Sequence, residues 1–147
     1  MPHTTNLEPA LARLEQVRQS LNARAAGLWS CDGKRVHLVR FLPAADMPAP
    51  VVSGFSEATG DVALERVELG CVRAAATREV VTAWVERWPD DGGSGTWLHR
   101  FEAARSVAVP ILDASGQTQA VVAIALTDAC TLDEEDIAQQ LREIMPV

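Results

Sequence analysis

The most apolar segment of the chain, residues 118–126, constrains the fold more than any other feature. Its alternate positions carry small side chains on one face and larger ones on the other, and both faces are apolar. The small set is Val121, Ala123 and Ala125, and the larger set is Ala120, Val122, Ile124 and Leu126. A strand with two apolar faces needs cover on both sides. The segment therefore predicts a central strand in a sheet that carries other elements on each face.

A second apolar strand is predicted just before it, at residues 106–112. Val107, Val109 and Ile111 fall on one face of this strand, and residues 113–117 have the composition of a turn. Two alternating segments joined by a short loop with glycine are typical of an antiparallel hairpin. The two strands are therefore expected to be neighbours in the sheet.

Another hairpin is predicted near the start of the chain. Residues 25–31 are small and apolar, and residues 36–41 have the alternation of a strand. Asp32 and Gly33 lie between them, and this pair suits a type I′ turn, in which both central residues take positive φ. These two strands extend the predicted antiparallel sheet.

Helices are predicted at both ends of the chain. Residues 7–24 carry a leucine at every seventh position, which is typical of an amphipathic helix, and Asn6 is its predicted N-cap. Residues 131–145 begin with a capping box formed by Thr131 and Glu134, and the acidic residues that follow favour a helix N-terminus. The buried stripe of this last helix is predicted to be Ile137, Leu141 and Ile144.

The middle of the chain is less regular. Residues 43–61 contain three prolines and two glycines, which predict a long connection with one helical turn near residues 55–59. Residues 86–96 contain three glycines, a proline and two adjacent aspartates, so a mobile surface loop is expected there. Between them, a short helix is predicted over residues 70–78 and a strand over residues 79–85.

Composition argues against several classes of partner. The chain has 147 residues, with 13 Lys and Arg against 20 Asp and Glu, and a net charge of -7. An acidic surface repels phosphate backbones and anionic lipid, so neither a nucleic acid nor a membrane partner is expected. The longest apolar run, residues 120–126, is far short of the roughly 20 residues that span a bilayer. The three cysteines form no CxxC pair and the N-terminus lacks a signal-peptide pattern, so a cytoplasmic protein with reduced thiols is expected.

The order of these elements predicts a single α+β domain over residues 1–147. It consists of the N-terminal helix over residues 7–24, the sheet and its pocket-flanking loops over residues 25–126, and the C-terminal helix over residues 131–145. Strands and helices that do not alternate regularly indicate an antiparallel sheet with helices packed on it.

Three stretches of the sequence resemble a GAF domain. Residues 69–81 are similar to the family's glycine, small-residue helix and strand, and residues 106–124 to its paired apolar strands. Residues 131–137 are similar to the acidic start of its closing helix. The resemblance covers residues 7–145 and implies a profilin-like antiparallel sheet with the two terminal helices together on one face. The similar sheet of PAS-class sensor domains is the alternative fold.

Resemblance to GAF domains implies a small-molecule sensor or a dimerising signalling module, and it does not imply an enzyme. The pocket of such domains lies between the sheet and the connections on one face, here residues 43–61 and 86–104. The residues predicted to bind a ligand are Cys71, Arg73, Trp84, Trp97 and His99. Arg73 is the candidate for an anionic group, because it lies near a predicted helix start. No catalytic residue, metal ligand or cofactor is assigned, and the ligand is not identified.

Two other functions remain open at this point. Some GAF domains are free methionine-sulfoxide reductases that use cysteines near the position of Cys71, and the predicted helix start there would lower a thiol pKa. That enzyme needs a further cysteine near residues 106–109, where none exists, and Cys31 and Cys130 are wrongly placed for a partner. The other alternative is a purely structural dimerisation module whose cavity is filled by tryptophan side chains.

A homodimer is predicted from the first helix. Its stripe consists of Leu7, Leu14 and Leu21, widened by Ala10, Leu11 and Val17. Left unpaired, such a stripe would expose apolar surface on the order of several hundred Å2. Soluble monomers rarely expose an apolar patch of that size. The competing outcome is that the stripe packs wholly onto the sheet of its own chain.

Overall fold

The computed structural model describes residues 7–90 and 92–145, which form five helices and six strands. The helices are α1 (Glu8–Ser20), α2 (Ala49–Thr59), α3 (Gly70–Thr77), α4 (Ser94–Phe101) and α5 (Glu134–Arg142). The strands are β1 (Ala25–Cys31), β2 (Arg35–Pro43), β3 (Asp61–Ala63), β4 (Val81–Trp84), β5 (Arg105–Leu112) and β6 (Thr118–Leu126). All pair antiparallel in one sheet, in the order β3-β2-β1-β6-β5-β4, which confirms the predicted α+β fold. Within the described ranges, no helix is both long and apolar enough to cross a membrane.

The strand β6 lies inside the sheet, between β1 and β5, and its bounds are those predicted from the sequence. Its alternate side chains enter two different cores. Val122 and Ile124 belong to the core on one face, whereas Val121 and Ala125 belong to the core on the other. A strand repeats every two residues, so its two apolar faces require the cover that the helices supply on both sides.

The two terminal helices share one face of the sheet, as predicted. Leu14 of α1 and Leu141 of α5 are fully buried there, in the same core as Leu28 of β1. Arg13 Nη1 also donates to the carbonyl of Ile144, 3.0 Å away, just beyond the end of α5. The helices α2, α3 and α4 cover the opposite face and form the second core with it.

The apolar stripe of α1 packs against the sheet of its own chain. Three of its side chains are buried and three are partly buried against the same core, namely Ala10, Leu11, Leu14, Leu7, Val17 and Leu21. The exposed stripe that motivated the homodimer is therefore not present in the described residues, and the homodimer itself stays a prediction. The helix is also shorter than the predicted range of 7–24, with Leu7 at its N-cap, and Asn6 lies outside the described residues.

The proline-rich stretch over residues 43–61 contains a full helix rather than a single turn. The helix α2 is 11 residues long, with Pro48 at its N-cap and Pro50 in its first turn. Proline is tolerated at a helix start because the first N–H groups have no partner within the helix. This helix places the side chain of Phe55 in the core beneath it.

The first hairpin turn differs from the predicted type I′ turn. Gly33 has a φ of +90°, whereas Asp32 does not take a positive φ. The Asp32 carboxylate instead accepts the N–H groups of Lys34 at 2.9 Å and Arg35 at 2.8 Å, and it contacts the His37 ring. These contacts lower the pKa of Asp32 to about 2, and the hydrogen bond from the Lys34 N–H has the largest effect.

The cap of α5 also differs from the prediction. The Asp133 carboxylate accepts the N–H of Asp136 at 2.9 Å, which makes Asp133 the N-cap. Thr131, the predicted capping residue, precedes this cap by two positions, so the helix is shorter than the predicted range of 131–145. Threonine and aspartate both suit an N-cap, and this sequence offers both within one turn.

Candidate functional site

A small cavity lies between the sheet and the helices on its second face. Its volume is about 50 Å3. Strands β1, β5 and β6 form its floor, and side chains of α2 and α4 form its roof. This is the position that the resemblance to GAF domains implied for a pocket, beneath residues 43–61 and 86–104.

The floor of the cavity consists of very small side chains. They are Ala25 and Gly27 of β1, Ala108 of β5, and Ala123 and Ala125 of β6. Larger side chains of the same strands, such as Leu28, Val109 and Val122, belong to the opposite core, whereas Trp29 of β1 lies on the cavity side. A floor of small side chains leaves room for large groups from the helices above it.

Aromatic rings fill most of this room. Phe55 of α2 is central, with its ring centroid 5.3 Å from that of Trp97 and 5.0 Å from that of Phe101, both in T-shaped contact. The centroids of Phe41 and Trp29 lie 4.8 and 6.2 Å from that of Phe55. Such pairs stabilise a structure by about 0.5–1.5 kcal/mol each beyond the burial of their area. The cluster therefore closes the cavity and holds α2 and α4 on the sheet.

The two tryptophans of this cluster are held differently. Trp29 Nε1 donates to the carbonyl of Thr59, 3.1 Å away, and the side chain is only 2% exposed. Trp97 packs against Gly54 of α2 and is 7% exposed. Its Nε1 has no hydrogen-bond partner among the described residues. Trp29 is thus fixed by a hydrogen bond, and within residues 7–90 and 92–145 Trp97 has no counterpart to it.

Two serine hydroxyls lie on the side of the cavity nearest α3. Ser94 Oγ accepts the N–H of Gly70 at 2.7 Å, and the N–H of Ser94 donates to the carbonyl of Glu68 at 2.9 Å, so the N-termini of α3 and α4 are joined. A Cβ atom built on Gly70 would lie 3.3 Å from Ser94 Oγ and 4.0 Å from Ser106 Oγ. In the described chain, no charged side chain lines the cavity, and no group of three or more His, Cys, Asp or Glu side chains is placed to hold a metal ion.

The cavity is also lined by the thiol of Cys71, the second residue of α3. Burial raises the pKa of this thiol to about 12 and outweighs the N–H groups at the helix start, which lower it. The lowered pKa expected from the helix dipole is therefore wrong, because desolvation is the larger effect. The thiolate is the nucleophilic form of cysteine, and the raised pKa keeps this thiol protonated at neutral pH.

Three of the five residues predicted to bind a ligand do not line the cavity, and Arg73 is the first of them. Its Nε donates to the carbonyl of Val67 at 2.9 Å, and its guanidinium lies 4.3 Å from the ring centroid of Trp88. Arg73 thus anchors the loop that precedes α4. Of the predicted set, Cys71 and Trp97 are the residues that the structure brings together at the cavity.

Trp84 and His99 also lie away from the cavity. Ala83 belongs to the core under α2, α3 and α4. Because neighbouring residues of a strand point to opposite faces of the sheet, Trp84 points to the face that carries the terminal helices. There the Arg105 guanidinium lies 5.3 Å from the Trp84 ring centroid and donates to the carbonyl of Leu132 at 2.5 Å. His99 is exposed on α4.

Sequence reasoning did not single out three of the lining residues, Phe41, Phe101 and Ser106. No local pattern separates a ring that lines a cavity from a ring in a filled core. The small number of such rings was a signal that could have been used, because the chain has three phenylalanines and no tyrosine. All three phenylalanines meet in this one cluster.

No protein-family model matches the sequence, and no curated protein matches it. Solved structures do match. The GAF domain of a two-component sensor histidine kinase from Bacillus halodurans superposes with a TM-score of 0.67 at 10% identity, over 95% of this chain and 91% of that one. The GAF domain/HD domain protein from Geobacter sulfurreducens gives a TM-score of 0.66 at 14% identity, over 97% and 89% of the two chains. The chain has the GAF fold.

An enzyme also has this GAF fold. The free methionine-R-sulfoxide reductase from Neisseria meningitidis superposes with a TM-score of 0.59 at 16% identity, over 95% of this chain and 78% of that one. Identities at this level show the fold alone, and one fold carries many functions.

Proposed function

We propose that this GAF domain is a non-catalytic sensor that binds a small molecule between its sheet and the helices α2, α3 and α4. The observation that carries the proposal is the floor of small side chains beneath aromatic rings that come from two separate helices. An apolar concavity with a few convergent polar groups is the usual form of a small-molecule site. The similarity to the GAF domain of a sensor histidine kinase supports a sensory role.

Binding in this site requires the aromatic roof to move. The cavity of about 50 Å3 is roughly a third of the ~150 Å3 that holds benzene in an engineered protein core. We propose that Trp97 moves, because no hydrogen bond holds its indole in the described chain, whereas Trp29 is bonded to Thr59. The ligand then shifts the population from a closed form to an open one.

Arg24 connects this roof to the first helix. Its Nε donates to the carbonyl of Phe101, the last residue of α4, at 2.8 Å, and its Nη1 pairs with Asp46 Oδ1 at 2.6 Å. Arg24 lies in the short segment between α1 and β1. A shift of α4 therefore changes the contacts of the segment that follows α1. We propose that α1 and α5 transmit this change to a partner, for which a homodimer through these helices remains the predicted form.

The reductase alternative has less support than the sensor. Burial raises the pKa of the Cys71 thiol, so little thiolate forms near neutral pH. Cys130 packs against the core on the other face of the sheet. An assay of free methionine-sulfoxide reduction tests this alternative, since turnover by the wild type that is lost in Cys71→Ser would establish an enzyme.

A purely structural module is the second candidate function, and the small volume of the cavity favours it. If the aromatic cluster acts as an ordinary core, no small molecule enters it. Thermal unfolding in the presence of a library of small metabolites separates the two candidates, with native mass spectrometry to identify what is bound.

A ligand at 100 times its Kd stabilises a protein by about 2.7 kcal/mol, which raises the Tm of a domain of this size by roughly 5–11 °C. We expect at least one compound to do so. Ala125→Leu fills the floor of the cavity and should abolish the rise, whereas Ala114→Leu, in an exposed turn, should preserve it. A library without any stabilising compound would favour the structural module.

A further inference from the structure

We infer that the ligand of this site is an uncharged, compact and mainly apolar molecule with one hydrogen-bonding group. The inference rests on the proposed function and names the chemical class that the site accepts. Three features of the cavity carry it: the charge of its lining, the position of its hydroxyl groups, and the ring that closes it.

The lining of the cavity offers no counter-ion. None of its side chains in the described chain is charged. Arg100 of α4 lies with its guanidinium 4.7 Å from the ring centroid of Trp97, and Arg73 of α3 lies over Trp88. An ionised group that enters such a site loses its hydration and gains no paired charge. Carboxylates, phosphates and ammonium ions are therefore poor ligands for it.

The polar groups of the lining suit a single hydrogen-bonding group. Ser94 Oγ already accepts the N–H of Gly70, so its own O–H is left to donate. Ser106 Oγ lies on the same side, next to Gly70, and both hydroxyls line the cavity. A neutral hydroxyl or carbonyl group of the ligand placed here meets both serines. The rest of the ligand then contacts alanines and aromatic rings.

The closing ring sets the size of the ligand. Gly54 of α2 faces the Trp97 ring without a side chain of its own, and a Cβ atom there would lie 3.3 Å from Trp97 Cη2. When this ring turns away, its own volume is added to the cavity of about 50 Å3. A single six-membered ring with one substituent fits the enlarged space. Phenol is therefore the simplest probe of the class.

The test compares three probes of similar size at pH 7 by isothermal titration: phenol, toluene and benzoate. Phenol and toluene should bind to the wild type, and benzoate should bind at least tenfold more weakly. Ser106→Ala should weaken phenol binding about threefold to tenfold, which corresponds to one lost hydrogen bond, and should leave toluene binding unchanged. Ser53→Ala, an exposed serine on α2, is the matched control and should change neither.

Benzoate that binds as tightly as phenol would overturn the inference, and so would a failure of both phenol and toluene to bind. The wild-type comparison does not depend on any variant, so it decides even if Ser106→Ala fails to fold. If only charged metabolites stabilise the protein in the thermal screen, the inference is wrong and the proposed function stands. If no compound of any class stabilises it, the proposed function fails as well.

Discussion

The substitution Gly27→Ala tests whether the ring of Trp29 is fixed on the floor of the cavity. A Cβ atom at position 27 would lie 2.5 Å from Trp29 Cη2 and 2.7 Å from Cζ3, whereas carbon atoms in contact are about 3.5–4.0 Å apart. The ring must therefore retreat by about 1 Å. It is 2% exposed and bonded through Nε1 to the carbonyl of Thr59, so it has little freedom to do so.

Overpacking of this kind costs about 1–3 kcal/mol, and the loss of glycine stabilises the protein by about 0.4–1 kcal/mol through the unfolded chain. The net loss should be about 1–2 kcal/mol, and each kcal/mol lowers the Tm of a domain of this size by roughly 2–4 °C. Thermal and urea unfolding followed by circular dichroism measure it. The matched control is Gly54→Ala, whose Cβ would meet the other ring, Trp97, at 3.3 Å.

If Trp97 moves as proposed, the ring can yield to the new Cβ atom. Alanine also favours a helix over glycine by about 1 kcal/mol, so Gly54→Ala should be neutral or stabilising. A Gly27→Ala protein as stable as the wild type would refute the reasoning that Trp29 is fixed. A Gly54→Ala protein that loses more stability than Gly27→Ala would refute the mobility of Trp97.

Three further predictions concern the rest of the molecule. Leu14→Glu should lower the free energy of unfolding by at least about 3 kcal/mol, since it buries a charge in place of a core side chain; a folded monomer of unchanged stability would instead place this side chain in a dimer interface. Cys71 should react with a thiol reagent only after unfolding, whereas Cys31 and Cys130, which are partly exposed, should react in the folded state; early labelling of Cys71 would contradict its high pKa. Asp32 has a pKa lowered to about 2 from an ordinary value of 3.8, so its stabilising contacts are complete above about pH 4 and are lost as the pH falls through 2. Asp32→Asn should therefore lose less stability than the wild type between pH 5 and pH 2, and equal losses would argue against the contacts.

The sheet was predictable because its central strands combine strong alternation with turn residues at both ends. The bounds of β6 were predicted to the residue for this reason. The helix α2 was missed because proline was taken as a breaker, although at a helix start it has no N–H to lose. The stripe of α1 was identified correctly, but the same stripe suits a sheet or a second copy of the chain. The structure decides between these two, because Leu14 of the stripe lies in the core of its own chain.

The candidate site was predictable in position but only partly in its residues. The resemblance to GAF domains implied a pocket beneath the connections, and Cys71 and Trp97 of the predicted set line the cavity found there; their role in binding stays a prediction. Trp84 was predicted to bind the ligand and does not line the cavity, because a short edge strand does not reveal which of its two sides is covered. Arg73 was predicted to bind an anionic group because it lies near a helix start. Its contact with Trp88 was not predictable, since that ring is in a loop whose path the sequence does not determine.

The indole N–H resonances of the four tryptophans test the central claim most directly. Trp29 and Trp97 line the cavity, whereas Trp84 and Trp88 do not. One two-dimensional nitrogen–proton spectrum therefore reports on the cavity and on two sites away from it. On titration with phenol, the Trp29 and Trp97 signals should shift saturably, and those of Trp84 and Trp88 should stay unchanged. Saturable shifts confined to Trp84 or Trp88, or no shift in any of the four, would contradict that claim.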